Sequence, residues 1–249
     1  MKIQPEILAI IESGRTDGHL YFLPSGQLDR KVYLEVNKVL EAIGGKWNRK
    51  EKAHVFPESI EAAIDDVILT GEVDTPISEK KKYQFFETPG ELARRLVSMA
   101  NILPGHSCLE PSAGTGRIAD AIKDAGCDPD CVELNVDLAG VLFNKGFSVI
   151  HDDFLNVEAK PLYDRITMNP PFSGQQDVSH VSHALDCLKP GGVLVSVMSP
   201  GIKFRQNKKT AAFMEKLAGC ASYEITDLPA GAFKESGTMV NAIILKVEK

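Results

Sequence analysis

Apolar positions divide the chain into two regimes. In the first 70 residues, short runs of strand character mix with helical spacing. Residues 19–23 read as a short strand, and Pro24-Ser25-Gly26 turns the chain. Val32, Val36, Val39, Leu40 and Ile43 recur at helical spacing behind Asp29, whose carboxylate suits an N-cap, and Gly44-Gly45 stops the helix. Lys46-Trp47 and residues 53–56 predict a hairpin around 48–52, and a second helix follows over 58–69. Residues 71–82 are polar, with Thr75-Pro76 and the run Glu79-Lys80-Lys81-Lys82, and read as a linker. The predicted division is a small α+β module over 1–75 and a larger domain over 76–249.

Beyond the linker, strand and helix alternate. Thr88-Pro89-Gly90-Glu91 reads as a helix start with Thr88 as N-cap and Pro89 in the first position. Strands are predicted at 107–110, 130–134, 147–151, 165–168, 193–198, 223–227 and 240–247, with helices between most of them. That alternation predicts an α/β, Rossmann-like domain: a mostly parallel seven-stranded sheet with helices on both faces. No helix separates the last two strands, so they are expected to pair antiparallel at an edge.

Composition narrows the class. The chain has 249 residues, 43% hydrophobic and 25% charged, as in a water-soluble globular protein. No apolar run is long enough to span a membrane, and the first residues lack the apolar core of a secretory signal. Five scattered cysteines fit reduced thiols and a cytoplasmic location. A net charge of −6 argues against a protein held on nucleic acid mainly by a global basic field, and leaves local basic patches open.

Two loops carry the candidate chemistry. Glu110-Pro111-Ser112-Ala113-Gly114-Thr115-Gly116 joins the first strand of the larger domain to a helix, and its glycines let backbone approach a ligand. Gly114-x-Gly116-x-x-Ala119 also satisfies the dinucleotide pattern, so alone the loop is ambiguous. Glu133 ends the next strand, where a carboxylate can accept from both ribose hydroxyls. Asp153-Phe154 follow the third strand, where an acid can accept from an adenine amino group and a ring can pack on the base.

The second loop is Asn169-Pro170-Pro171-Phe172. Two prolines fix φ and remove two amide donors, so the segment is a rigid loop at a strand's carboxyl end. Its chemistry suits alkylation of an aromatic amino group, a poor nucleophile because its lone pair is delocalised. The Asn169 side-chain oxygen and the Pro170 carbonyl can each accept one amino hydrogen, favouring a pyramidal nitrogen. Catalysis is then positioning with preorganised dipoles, and Phe172 would stack on the flat substrate ring. The alternative is a Pro-Pro turn with a buried Phe.

Taken in order, these motifs resemble the class I S-adenosylmethionine-dependent methyltransferases, in the amino-methylating branch with N-P-P-F/Y loops. The order is similar to that of the gamma-type DNA adenine-N6 methyltransferases: Phe86-Glu87-Thr88-Pro89, the glycine loop, then Asn169 to Phe172. The resemblance implies S-adenosylmethionine as cofactor. It implies contacts to it from Thr88, Pro89, residues Glu110 to Gly116, Glu133, Asp153, Phe154 and Asn169. Leu188-Lys189-Pro190-Gly191-Gly192 is also typical of class I enzymes, and residues 232–238 resemble a late family loop whose aromatic, here Phe233, helps hold the target base. The implied reaction is methylation of an exocyclic amino nitrogen, adenine N6 in DNA first. Adenine N6 in RNA and the glutamine amide of a protein are alternatives, and a non-catalytic nucleic-acid-binding protein is the reading from another class. Gamma-type enzymes usually carry a large C-terminal recognition domain, whereas Lys249 here follows directly on the last strand. Recognition is therefore expected from the N-terminal module, from inserted loops, or from another subunit, whether a specificity subunit or a homodimer.

Two basic segments are candidate nucleic-acid contacts. Trp47, the sole tryptophan, lies beside Arg49 and Lys50, which suits base stacking with phosphate contact. Yet the first 80 residues hold 10 Lys/Arg against 14 Asp/Glu, so the module is not basic overall. Lys203 and Arg205 follow the fifth strand on the active-site side. His180 and His183 stand three apart on a helix without further ligands, so a structural role is expected and no metal site is predicted.

Overall fold

The computed structural model describes residues 1–24, 26, 28–57, 59–73, 87–203, 205, 207–229, 231–236 and 241–249. The side chains of Ala62 and Leu69 are likewise outside the description. Most of the predicted linker, Phe86, and residues 237–240 of the late loop and last predicted strand therefore lie outside the described residues.

Among the described residues, the N-terminal module packs three helices, α1 (Pro5–Glu12), α2 (Arg30–Ala42) and α3 (Glu61–Thr70), with four short strands. These are β1 (Arg15–Asp17), β2 (Leu20–Phe22), β3 (Lys46–Asn48) and β4 (Ala53–Val55), in the antiparallel order β1-β2-β4-β3. The Asp29 side chain caps α2 by accepting from the Lys31 amide at 2.8 Å, as predicted. The hairpin also forms, with Trp47 opposite His54. The core gathers Ile7, Ile11, Tyr21, Val36, Leu40, Ile64 and Val67, and the Tyr21 hydroxyl donates to the Ile11 carbonyl at 2.9 Å.

In the larger domain, the first element among the described residues is α4 (Gly90–Ala100). It continues through β5 (Cys108–Pro111), α5 (Arg117–Asp124), β6 (Asp130–Val132), α6 (Val136–Asn144), β7 (Ser148–Ile150) and β8 (Tyr163–Met168). Then come α7 (Gln176–Cys187), β9 (Leu188–Met198), α8 (Lys208–Ala218), β10 (Ser222–Asp227) and β11 (Ile243–Glu248). The seven-stranded sheet has the order β10-β11-β9-β8-β5-β6-β7. Five strands run parallel, and β11 is antiparallel to both β9 and β10, so the expected edge pair is present with β10 outermost. The central strand β9 is buried along most of its length and β8 along its second half, as a sheet covered on both faces requires. The sheet order puts the ends of β5, β6, β7 and β8 side by side on one rim, where ligands of open α/β sheets bind.

One helix start departs from expectation. Pro89, not Thr88, is the N-cap of α4, and no side chain caps it. The Thr88 hydroxyl is used elsewhere. All five cysteines are free thiols, four of them buried. Among the described residues no helix is long and apolar enough to cross a membrane.

Candidate active site

The glycine loop leaves β5 in a strained path. Ser112 sits at φ 79°, Gly114 at φ 57° and Gly116 at φ 82°. Left-handed backbone is costly for a residue with a Cβ, so the turn must be held. Ser112 and Ala113 amides both donate to the Val132 carbonyl, at 2.9 and 3.0 Å. At Gly116 a Cβ would also meet Leu142 Cδ2 at 2.6 Å, so the position is closed to other residues by backbone and by packing. The loop ends as the N-cap of α5.

Two carboxylates serve this loop differently. Glu133, just past the end of β6, is buried and accepts from the Gly114 amide at 2.7 Å and the Asn135 amide at 2.8 Å. Its carboxylate lies where two strand-end loops meet, the position predicted for ribose binding. Glu110 is buried beneath the loop, and Oε2 has no hydrogen-bond partner. Burial pushes its carboxyl well above the ordinary range, opposed by the Ala119 amide. Pro111 and Ala113 are buried as well, Ala113 packing with Ala119, Cys131, Leu142 and Phe147.

Glu87, which the sequence offered only as a link in a motif, clamps the loop from outside. It accepts from the Thr115 hydroxyl at 2.6 Å and pairs with Arg117 at 2.9 Å, which together hold its carboxyl below the ordinary range. Its carbonyl accepts from the Ser236 hydroxyl at 2.5 Å, tying the late loop to the same point.

Asn169-Pro170-Pro171-Phe172 follows β8, next to β5. Thr88 is buried and Asn169 half-buried, and the Asn169 side-chain nitrogen donates to the Thr88 hydroxyl at 3.1 Å across 81 residues. The predicted start motif, glycine loop and Asn-Pro-Pro-Phe loop thus meet at one place. Phe172 is 5% exposed and Phe233 fully buried, both within the core that contains Leu92, Leu96, Val195 and Ile244. Both rings are covered by protein in this conformation. Phe154 is likewise 3% exposed and packed against His180 and His183, with ring centroids 5.8 and 4.8 Å away. Asp153 beside it is half-buried and accepts from the Leu155 amide at 3.0 Å. Exposed apolar side chains near these strand ends include Leu134, Val136, Ile150 and Leu155. Leu134 directly follows Glu133, and its carbonyl is 3.0 Å from His151 Nε2.

Both histidines of α7 are engaged by protein partners. His180 is buried, with Nδ1 3.2 Å from the Ser112 hydroxyl, and burial holds its pKa down at about 4. His183 Nε2 lies 2.8 Å from the Val157 carbonyl. No group of His, Cys, Asp or Glu suited to a metal occurs among the described residues.

Of the basic candidates, Trp47 is 45% exposed with its edge to His54, and Arg49 and Lys50 are exposed beside it. Arg205 is different. Its side chain is only 10% exposed and pairs with Asp65 of α3, so it is spent on the module boundary and does not present itself to phosphate. Lys203 pairs with Asp227 at 2.8 Å. Helix α3 also packs against the turn at 173–175 that directly follows Phe172.

Known structures share this architecture. A dimethyladenosine transferase from Plasmodium falciparum superposes with a TM-score of 0.52 at 13% identity, over 66% of this chain and 63% of that one. An S-adenosylmethionine-dependent methyltransferase from Mesorhizobium loti gives 0.51 at 12% identity, over 66% and 100%. The 23S rRNA methyltransferase ErmE gives 0.50 at 18% identity, over 66% and 70%. The fold is that of the class I methyltransferases. No protein-family model and no curated protein matches the chain. In the methyltransferase fold, the matched share corresponds to the size of the larger domain, which leaves the N-terminal module to be explained from its own residues.

Proposed function

We propose that the chain transfers the methyl group of S-adenosylmethionine to an exocyclic amino nitrogen, adenine N6 of nucleic acid, with DNA ahead of RNA. The observation that carries this reading is the Asn169–Thr88 hydrogen bond, which sets the Asn-Pro-Pro-Phe loop against the start of α4. A plain Pro-Pro turn needs no such tie.

The residues present fit the cofactor. Glu133 offers a buried carboxylate already facing amide donors, so ribose hydroxyls would meet an acceptor of matching chemistry. Leu134 and Leu155 supply apolar surface for a base, and Asp153 a carboxylate for its amino group. The cofactor supplies an electrophilic sulfonium methyl. Asn169 and the Pro170 carbonyl orient the amino group, and no strong base is needed because that nitrogen becomes acidic only as it is alkylated. Base stacking by Phe172 then requires the adjoining turn at 173–175 to shift against α3.

The N-terminal module is assigned substrate contact through Trp47, Arg49 and Lys50, since one exposed aromatic among exposed cations suits stacking with phosphate contact. The test is the methyl acceptor: label from S-adenosylmethionine is offered to unmethylated DNA, RNA and protein. DNA carrying N6-methyladenine supports the full reading. Label only in RNA or protein overturns the choice of DNA.

A further inference from the structure

His180 stands apart from the other buried polar groups. It lies on α7, the helix that follows the Asn-Pro-Pro-Phe loop, yet its ring reaches the glycine loop, 68 residues away in sequence. Its Nδ1 is 3.2 Å from the Ser112 hydroxyl, and the ring tilts against Phe154 at 5.8 Å between centroids. Ser112 is the residue at φ 79° in that loop. Phe154 directly follows Asp153 past the end of β7. One imidazole thus touches both strand-end segments that flank Glu133.

The left-handed conformation of Ser112 is the reason this matters. Glycine would adopt it freely, whereas a serine stays there only if its surroundings hold it. Its amide is held by the Val132 carbonyl, and its side chain by His180. A hydroxyl can donate or accept, so the contact survives in either neutral tautomer of the ring. The helix is itself anchored: Asp177 in its first turn accepts from the Ser199 amide at 2.9 Å at the end of β9. The reactive loop, α7 and the cofactor loop therefore form one braced unit.

We propose that His180 is a positioning residue that keeps the Ser112 turn in the shape that receives S-adenosylmethionine. The inference rests on the cofactor reading above. Two variants separate the ring's roles. His180→Phe keeps packing on Phe154 and loses the hydrogen bond. His180→Asn keeps a polar atom near the place of Nδ1 and loses the ring. Ser112→Ala removes only the hydroxyl partner.

The experiment pairs calorimetric titration of the full-length protein with S-adenosylmethionine and amide hydrogen exchange of the cofactor-free protein. His180→Phe and Ser112→Ala should each weaken binding by roughly tenfold, the size of one lost hydrogen bond. Amides of Ala113, Gly114 and Gly116 should exchange faster in both. His180→Asn should stay within roughly threefold of the parent, and the Phe/Ala double variant should be no weaker than either single one. If Ser112→Ala binds and exchanges like the parent, the proposal is overturned even should His180→Phe fail to fold. If the parent protein protects the loop as described but does not bind the cofactor, the functional reading fails instead.

Discussion

Asn169 Nδ2 donates to Thr88 Oγ1 at 3.1 Å, joining the loop after β8 to the residue before the N-cap of α4. The bond orients an amide that the proposed reaction needs in one pose. Thr88→Val keeps the shape and removes the hydroxyl. It should lower turnover about 10- to 100-fold through misplacement, with a stability loss of about 1 kcal/mol. Single-turnover rates and urea melts check both. Equal loss of turnover and of folding would make the contact structural only.

Gly116 is expected to tolerate no side chain. At φ 82°, with Leu142 Cδ2 2.6 Å from any added Cβ, Gly116→Ala combines left-handed strain with a clash. The cost should be about 2 to 4 kcal/mol in chemical denaturation. Gly140→Ala, on α6 with nothing near its Cβ, is the control and should be neutral or stabilising.

Arg205 and Asp65 form the buried pair that joins the module to the larger domain. Removing one partner leaves the other charge buried, so Arg205→Met or Asp65→Leu alone should cost about 3 kcal/mol. The double variant should recover most of that loss, since an apolar seam of similar volume needs no charge. A double-mutant cycle by urea melts reads the coupling, and additive losses would show that the pair does not act as one unit.

Acid sensitivity follows from His180. Burial lowers its pKa from 6.5 to about 4. The unfolded chain therefore takes up this proton below pH 6.5 while the fold keeps the ring neutral. The stability it contributes is whole above pH 6.5 and is lost as pH falls towards 4, by about 3 kcal/mol in full. His54, also lowered by burial, acts in the same direction. Unfolding free energies at pH 7 and pH 5 should differ less in His180→Asn than in the parent; an unchanged pH slope would contradict the assignment.

Much of this was legible in local pattern. The strands alternate with helices at spacings the chain shows plainly, and Asp29 capped α2 where the spacing put it. What escaped was set by distant partners. Thr88 looked like a cap because it precedes Pro89, but its hydroxyl meets Asn169. Phe154, Phe172 and Phe233 sit in the right motifs, yet exposure is a property of packing, and all three are buried. Arg205 read as a phosphate contact because Asp65 lies in another module. Helix α1 went unseen because its eight residues are apolar on several faces and show no clean period.

The exposed tryptophan gives a separate test of the module. Trp47 is 45% exposed with its edge to His54, so Trp47→Ala should leave the melting temperature almost unchanged. It should weaken DNA binding by roughly tenfold, the effect of one lost stacking contact. Fluorescence anisotropy at two salt concentrations checks this. Unchanged affinity would remove the hairpin from the substrate interface.

The central claim is methyl transfer to an amino nitrogen at Asn169. The most direct measurement is tritiated methyl transfer from S-adenosylmethionine to unmethylated DNA, with mass spectrometry of the digested product, for the parent protein and Asn169→Ala. The parent is expected to give N6-methyladenine, and the variant to lose at least about 100-fold in rate. Label on carbon or oxygen, or a variant as active as the parent, would contradict that claim.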